Sequence, residues 1–434
     1  VQTDDKKVYM QTGVAAALTV AGGLMFRMSL RYLAALCIAT LLLSIPLSHS
    51  LKRRREQKRH YTDAARYLEK MLHSFQSSRK ILNALEDTEA VFTEGTMREA
   101  IGKTIKRLQY GGGTTQTVEE IFSTVEEEYG CDRVGMMHRF LSTVEEQGGE
   151  PEAGIRLLLA DRNIWVCNTD MFMEEKEKIC QEITVGFLLS SFLCMIFLWL
   201  PKFTGLEQMD IHTNAAVQGV SAAFLAAIYF LYYQTQKRME TDWLGKKKDG
   251  EDEFWQKRYE RYESLGTKRL TDRLSRHILK NDLTREVKKE FPGWILMVAL
   301  YMQQENVEVA LDKSYATAPG VLKVPLAKML KKLDEDPNSM DAYRNFLAEF
   351  EIADVQEAMD GLYSIYHGLS RDGQEEFHMI TERNLKMSEQ AQRLKEEDRR
   401  ARLEIMMWMT TALTSVVLIV YMAATLYQFF QMAF

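Results

Sequence analysis

The sequence predicts an all-α membrane protein, with two related cytoplasmic helical-bundle domains strung between five transmembrane helices. Three observations predict it. Five apolar stretches, residues 8–26, 30–48, 183–200, 213–233 and 405–430, are free of charge in their middles. Each approaches the roughly 20 residues that a helix needs to cross a hydrocarbon core. Two polar segments of roughly 130 and 170 residues separate them, the size of ordinary domains. Within those segments apolar residues recur at three and four rather than at two, which is the helical period.

Composition agrees with this division. Of 434 residues, 46% are hydrophobic and 27% charged, and the mean hydropathy of −0.26 is too low for a chain made mostly of spans. A net charge of −6 argues against nucleic acid as a partner, since that function calls for a basic excess. The cysteines, Cys37, Cys131, Cys167, Cys180 and Cys194, form no C-x-x-C pair, so neither a disulfide framework nor a zinc site is expected. The first stretch does not read as a cleaved leader, because a second follows almost at once.

The expected order is a transmembrane hairpin over 1–51, a soluble domain over 52–182, a second hairpin over 183–235, a charged helical connector over 236–290, a second soluble domain over 291–404 and a single span over 405–434. Orientation follows from the basic residues beside the spans. Lys52 to Arg55 follow the second span, Lys176 and Lys178 precede the third, Lys237 and Arg238 follow the fourth, and Arg399, Arg400 and Arg402 precede the fifth. Both soluble domains are therefore expected in the cytoplasm, in the inner cell membrane, with the C-terminus outside. Arg27 and Arg31, in the first turn, run against this assignment.

Within the first domain, Thr62-Asp63 offers helix caps ahead of Tyr67, Leu68, Met71, Leu72 and Phe75. Gly111-Gly112-Gly113 predicts a break, Thr117 to Glu120 has capping-box spacing, and Gly148-Gly149-Glu150-Pro151 predicts a turn with Pro151 at a first helical position. In the second domain Pro292 is placed to open a helix, and Asp336-Pro337-Asn338-Ser339 predicts a turn. The connector reads as a helical stalk from the membrane to the second domain.

The two domains read as copies. Residues 101–108 (IGKTIKRL) and 326–333 (LAKMLKKL) match in character position by position. In both, aliphatic residues at i, i+4 and i+7 share one helix face and the basic residues fall off it. Asn83-Ala84-Leu85 and Val309-Ala310-Leu311 precede the two copies at similar distances, and helices carrying Phe122 and Phe346 follow the turns.

This arrangement resembles the F-domain platform proteins of type II secretion, type IV pilus and tight-adherence pilus machines. The most similar pieces are residues 66–85, 148–165 (GGEPEAGIRLLLADRNIW) and 291–350, the last with its Phe-Pro-x-Trp start and its Pro-x-x-x-x-x-Tyr-x-x-Phe-Leu stretch from Pro337 to Leu347. Two features depart from the family pattern. The glycine that often follows the first helix is missing from 74–80 (SFQSSRK). The amino-terminal hairpin is usual in tight-adherence members, whereas paired soluble domains are usual in the other two. The resemblance implies a platform that couples a hexameric pilus-assembly or secretion ATPase to the insertion or extrusion of pilin or pseudopilin subunits, as a homo-oligomer or beside a sister platform subunit. Lys103, Lys106, Arg107, Lys328, Lys331 and Lys332 then become the candidate docking residues. The plainer reading of these six is a solvated helix face.

Catalytic, cofactor and metal motifs do not emerge. The glycine triplet lacks the lysine of a phosphate-binding loop. His73, His138, His277, His367 and His378 are scattered, and acidic runs such as Glu126-Glu127-Glu128 read as solvated faces. No enzyme, cofactor or metal is expected, and the span middles lack the ionisable residues of an ion pathway. A membrane scaffold or signalling receptor is the alternative, but the loop over 201–212 is short for a sensor.

Overall fold

The computed structural model describes residues 17, 19–110, 118–203, 214–245, 250–266, 270–368 and 373–433. Every regular element among them is helical. The chain divides into two compact units: Val1–Arg59, Met171–Asp242 and Glu397–Phe434 form the first, His60–Asp170 and Trp243–Glu396 the second.

Three helices contribute to both units: α1 (Leu30–Ser78), α6 (Glu152–Phe203) and α14 (Gly373–Ala433). With α7 (Ala215–Met239) they are the four described helices long and apolar enough to cross a membrane. Most of the first apolar stretch lies outside the described residues, although 19–25 are helical. The expected boundaries at 52 and 183 fall inside α1 and α6, with no break in either helix.

In the first unit, α6, α7 and α14 pack through Cys194, Leu198, Val217, Phe224, Val417 and Tyr421. The Ser221 and Tyr421 hydroxyls lie 2.6 Å apart, satisfying two polar groups at an apolar seam. Leu188, Phe192 and Val416 are more than half exposed, as lipid-facing side chains are. At one end of the unit the Arg27 and Lys202 side chains converge on the Trp199 ring, at 4.3 and 5.6 Å from its centroid. The Tyr32 hydroxyl donates to the Ala215 carbonyl at 3.3 Å at this same end. The turn at 26–29 therefore lies beside the C-terminal end of α6 and the start of α7.

The second unit holds two groups of helices. The first comprises the end of α1, α2 (Ile81–Val91), α3 (Thr96–Tyr110), α4 (Val118–Tyr129), α5 (Asp132–Gln147) and the start of α6. Thr62-Asp63 caps nothing, because α1 runs straight through it. Burial of Tyr61, Ala64, Ala65, Tyr67 and Leu68 on both sides of the pair outweighs the local capping preference. The helix stops at Ser78, where Arg79 takes φ 53° and its N–H reaches the Phe75 carbonyl at 2.8 Å. Arg79 thus occupies the left-handed position that glycine usually fills after a helix. The turn at Gly148 and Gly149 uses φ of 82° and 109°, which only glycine adopts without strain.

The second group comprises α8 (Glu251–Ser264), α9 (Leu270–Tyr301), α10 (Val307–Tyr315), α11 (Gly320–Glu335), α12 (Met340–Arg344), a single 3-10 turn at Ala348–Phe350, α13 (Ala353–Tyr366) and the start of α14. Pro292 does not open a helix. It lies inside α9, where the buried neighbours Phe291, Trp294, Ile295 and Val298 offset an interior proline that costs about 3 kcal/mol. The connector is not a separate stalk either. Tyr259 and Tyr262 of α8, with Leu279, Leu283 and Val287 of α9, belong to the core shared by Trp294, Leu311, Leu326 and Phe350. The turn after α11 forms as expected, with the Asn338 N–H donating to the Asp336 carboxylate at 3.1 Å.

Candidate docking faces and buried polar clusters

The six basic residues singled out in the sequence lie on α3 and α11. On α3, Ile101, Thr104 and Ile105 face inward, and the Thr104 hydroxyl donates to the Ala100 carbonyl at 3.0 Å. Lys103, Lys106 and Arg107 therefore face out. On α11, Leu326, Met329 and Leu333 face inward, leaving Lys328 and Lys331 exposed and Lys332 half-buried. The inward register is shared: 101 with 326, and 104 with 329.

The two faces are not used alike. Arg107 Nη1 donates to the Glu120 carbonyl at 3.3 Å and the Ser123 hydroxyl at 3.2 Å, so it ties α3 to α4. Lys328 pairs with Glu263 and ties α11 to α8. Neither is held out for a partner. Lys103, Lys106, Lys331 and Lys332 make no ion pair among the described residues. Lys106 and Lys331 are the one matched pair that is exposed and unpaired in both places. The two faces remain in separate groups: α3 packs chiefly on α2 and α4, α11 on α8, α9, α10 and α12.

The structure assembles a polar cluster that the sequence does not reveal. The Tyr67 hydroxyl lies 2.9 Å from His138 Nε2, and His138 Nδ1 lies 2.8 Å from Glu126 Oε1. A neutral imidazole satisfies both contacts by donating from Nδ1 and accepting at Nε2. The ring also stacks on Phe122, with centroids 3.9 Å apart. Glu126 is thus a buried-network acceptor and not part of a solvated face. Burial pushes the His138 imidazole below its ordinary value. Burial acts to raise Glu126, but the hydrogen bond from His138 and the nearby Arg139 charge hold it below the usual carboxylate value. Tyr67 and His138 are 0% and 1% exposed, and with the half-buried Glu126 they form a hydrogen-bonded clasp at the core. The partners are far apart in sequence, and no local motif marks them.

A second buried acid joins the two helical groups. Asp161 accepts from Arg133 Nε at 2.7 Å and from the Ser388 hydroxyl at 2.8 Å, which links α5, α6 and α14. In the first unit, Lys176 is 2% exposed. Its ammonium donates to the Arg238 and Met239 carbonyls, each at 3.3 Å, and to the Thr241 hydroxyl. These carbonyls end α7, where the helix dipole favours a cation. Arg54 of α1 reaches Glu177 at 3.2 Å beside it, so a polar collar surrounds this end of the unit.

Among the described residues no three His, Cys, Asp or Glu side chains group as metal ligands. The glycine triplet and Thr117 lie outside the described residues. The class that the fold defines is an all-helical chain with four helices apt for a membrane and one helical unit holding two groups of helices. Comparison with known protein families, curated proteins and solved structures finds no match in any of the three.

Proposed function

We propose that this chain is a non-enzymatic membrane platform of a pilus-assembly or type II secretion-like machine. Its helical groups are a duplicated pair of cytoplasmic domains that engage a hexameric assembly ATPase. Its apolar helices gather pilin or pseudopilin subunits, and ATPase movement passes through the soluble unit to the spans.

The observation that carries this reading is the shared register of α3 and α11. Both bury two equivalent positions, 101 with 326 and 104 with 329, each belongs to a separate group, and each leaves the equivalent lysine, Lys106 or Lys331, exposed and without an ion pair among the described residues. Exposed lysines contribute little to folding, and they act on partner choice and association rate instead. The basic collar of Arg54, Lys58, Lys176, Lys237 and Arg238 lies at one end of the apolar unit, which supports the cytoplasmic assignment for that end. Arg27, which runs against that assignment, is stacked on Trp199 at the other end.

Deleting the gene in its host tests the reading. Fibre assembly or secretion is lost while ATPase and pilin levels stay constant, and a plasmid copy restores it. Normal output without the chain would sink the proposal.

A further inference from the structure

Helix α1 carries an apolar span and a basic run with no break between them. Residues 52–59 (KRRREQKR) hold six cations and one carboxylate, Glu56. The outward face of the same helix is aliphatic as far as Ile45. Ile38, Leu42 and Ile45, at helical spacing, are 60%, 66% and 60% exposed. His49 and Lys52 continue that stripe, both exposed, and the exposed Arg55 lies beside it.

Three of the six cations turn to carboxylates within the first unit. Arg54 reaches Glu177 at 3.2 Å, Lys58 lies 3.9 Å from the same carboxylate, and Arg53 lies 3.9 Å from Glu240. Lys52 and Arg55 make no ion pair or hydrogen bond among the described residues. Glu56 follows Lys52 by one turn, away from the aliphatic stripe, and offsets one of the six charges.

A span that starts near Leu30 needs about 20 residues to cross the hydrocarbon core, so α1 itself puts the bilayer surface between His49 and Lys52. The neighbouring helix agrees. The apolar run of α7 ends at Tyr233, and its Gln236 accepts from Arg54 Nη1 at 3.5 Å. Side chains on a helix lean toward its N-terminus, which on α1 is the direction of the span. Lys52 and Arg55 thus start out toward the headgroup layer, with their stems on apolar surface. An aliphatic stripe that runs into unpaired cations fits a ligand with acyl chains at one end and an anionic phosphate at the other.

We propose that an anionic phospholipid lies along this face, with its acyl chains against Leu42 and Ile45 and its phosphate between Lys52 and Arg55. The proposal rests on α1 being embedded in a membrane, and it does not depend on the platform reading.

The test uses the full chain in lipid nanodiscs of two parts phosphatidylcholine to one part phosphatidylglycerol. The photo-crosslinker benzoylphenylalanine stands in place of His49, and in a second sample in place of Leu42. After irradiation, intact-protein mass identifies the lipid in each adduct. A lipid adduct of either kind at Leu42 reports that α1 is embedded. At His49 the expected ratio of phosphatidylglycerol to phosphatidylcholine adducts is severalfold above that of the disc. It falls to the disc ratio in the Lys52→Gln/Arg55→Gln variant, whose helicity is unchanged because both side chains are exposed and unpaired. Labelling at Leu42 with only the disc ratio at His49, or enrichment that survives the double substitution, would overturn the site and leave the span intact. No lipid adduct at either position would overturn the site and the span together.

Discussion

His138 accepts the Tyr67 hydroxyl at one ring nitrogen and meets Glu126 at the other, across 2.9 and 2.8 Å. One side chain thereby joins α1, α4 and α5 in the core of the first helical group. Replacing it with leucine leaves a buried phenol and a half-buried carboxylate without their partner, at a cost of about 1–3 kcal/mol each.

The same cluster makes the first group acid-sensitive. The folded imidazole titrates below its ordinary value of 6.5 because it is buried, so the unfolded chain binds the proton more readily. His138's contribution is complete above that value and declines as pH falls towards the depressed folded one. Glu126, also lowered, acts with the same sign below 4.5. Thermal unfolding in detergent is expected at a lower temperature at pH 5.5 than at pH 7.5, and His138→Gln flattens that dependence. A midpoint that rises on acidification contradicts the assignment.

Gly320 opens α11 against the backbone of α8. Its N–H donates to the Asp252 carboxylate at 2.8 Å, and an added Cβ would lie 2.1 Å from the Asp252 carbonyl oxygen. Backbone cannot rotate out of the way as a side-chain tip can. Gly320→Ala is expected to destabilise the second group by about 1–3 kcal/mol and to expose α8 to limited proteolysis. Unchanged stability and an unchanged digestion pattern would show that α8 is not fixed there.

Lys176 holds the end of α7 by its last two carbonyls. Lys176→Met keeps most of the length of the side chain but leaves the Arg238 carbonyl unmet and the Met239 carbonyl with the Thr241 hydroxyl alone, a loss of about 1–3 kcal/mol. Cysteine accessibility introduced at Thr241 is expected to rise in this variant, while hydrogen exchange in α11 stays at the wild-type rate. An unaltered Thr241→Cys labelling rate would contradict the clasp.

The helical class, the turns at Gly148 and Asp336, and the burial of Ile101, Ile105, Leu326 and Leu333 were legible because each rests on local periodicity or turn chemistry. Leu108 and Leu330 of the same stripe, by contrast, are only half-buried, and Thr104 and Met329 turn inward beside it. What local rules missed was decided by packing. Thr62-Asp63 and Pro292 carry sound boundary signals, yet both lie within helices whose buried faces continue past them. The connector looked like a stalk because it is rich in charge, while its minority of Tyr259, Tyr262, Leu283 and Val287 was enough to join a core. Of the docking set, Arg107 and Lys328 could not be separated from their neighbours in sequence, because Ser123 and Glu263 are brought to them only by the fold.

Binding of the cognate assembly ATPase to the full chain in nanodiscs is the most direct test of the platform account. The account predicts saturable binding of the hexamer to the wild type, weakened by salt. It further predicts about tenfold weaker binding for Lys103→Glu/Lys106→Glu/Lys331→Glu, through loss of charge complementarity at unchanged helicity. A wild-type chain that captures no ATPase at any hexamer concentration, while correctly inserted and folded, would contradict it.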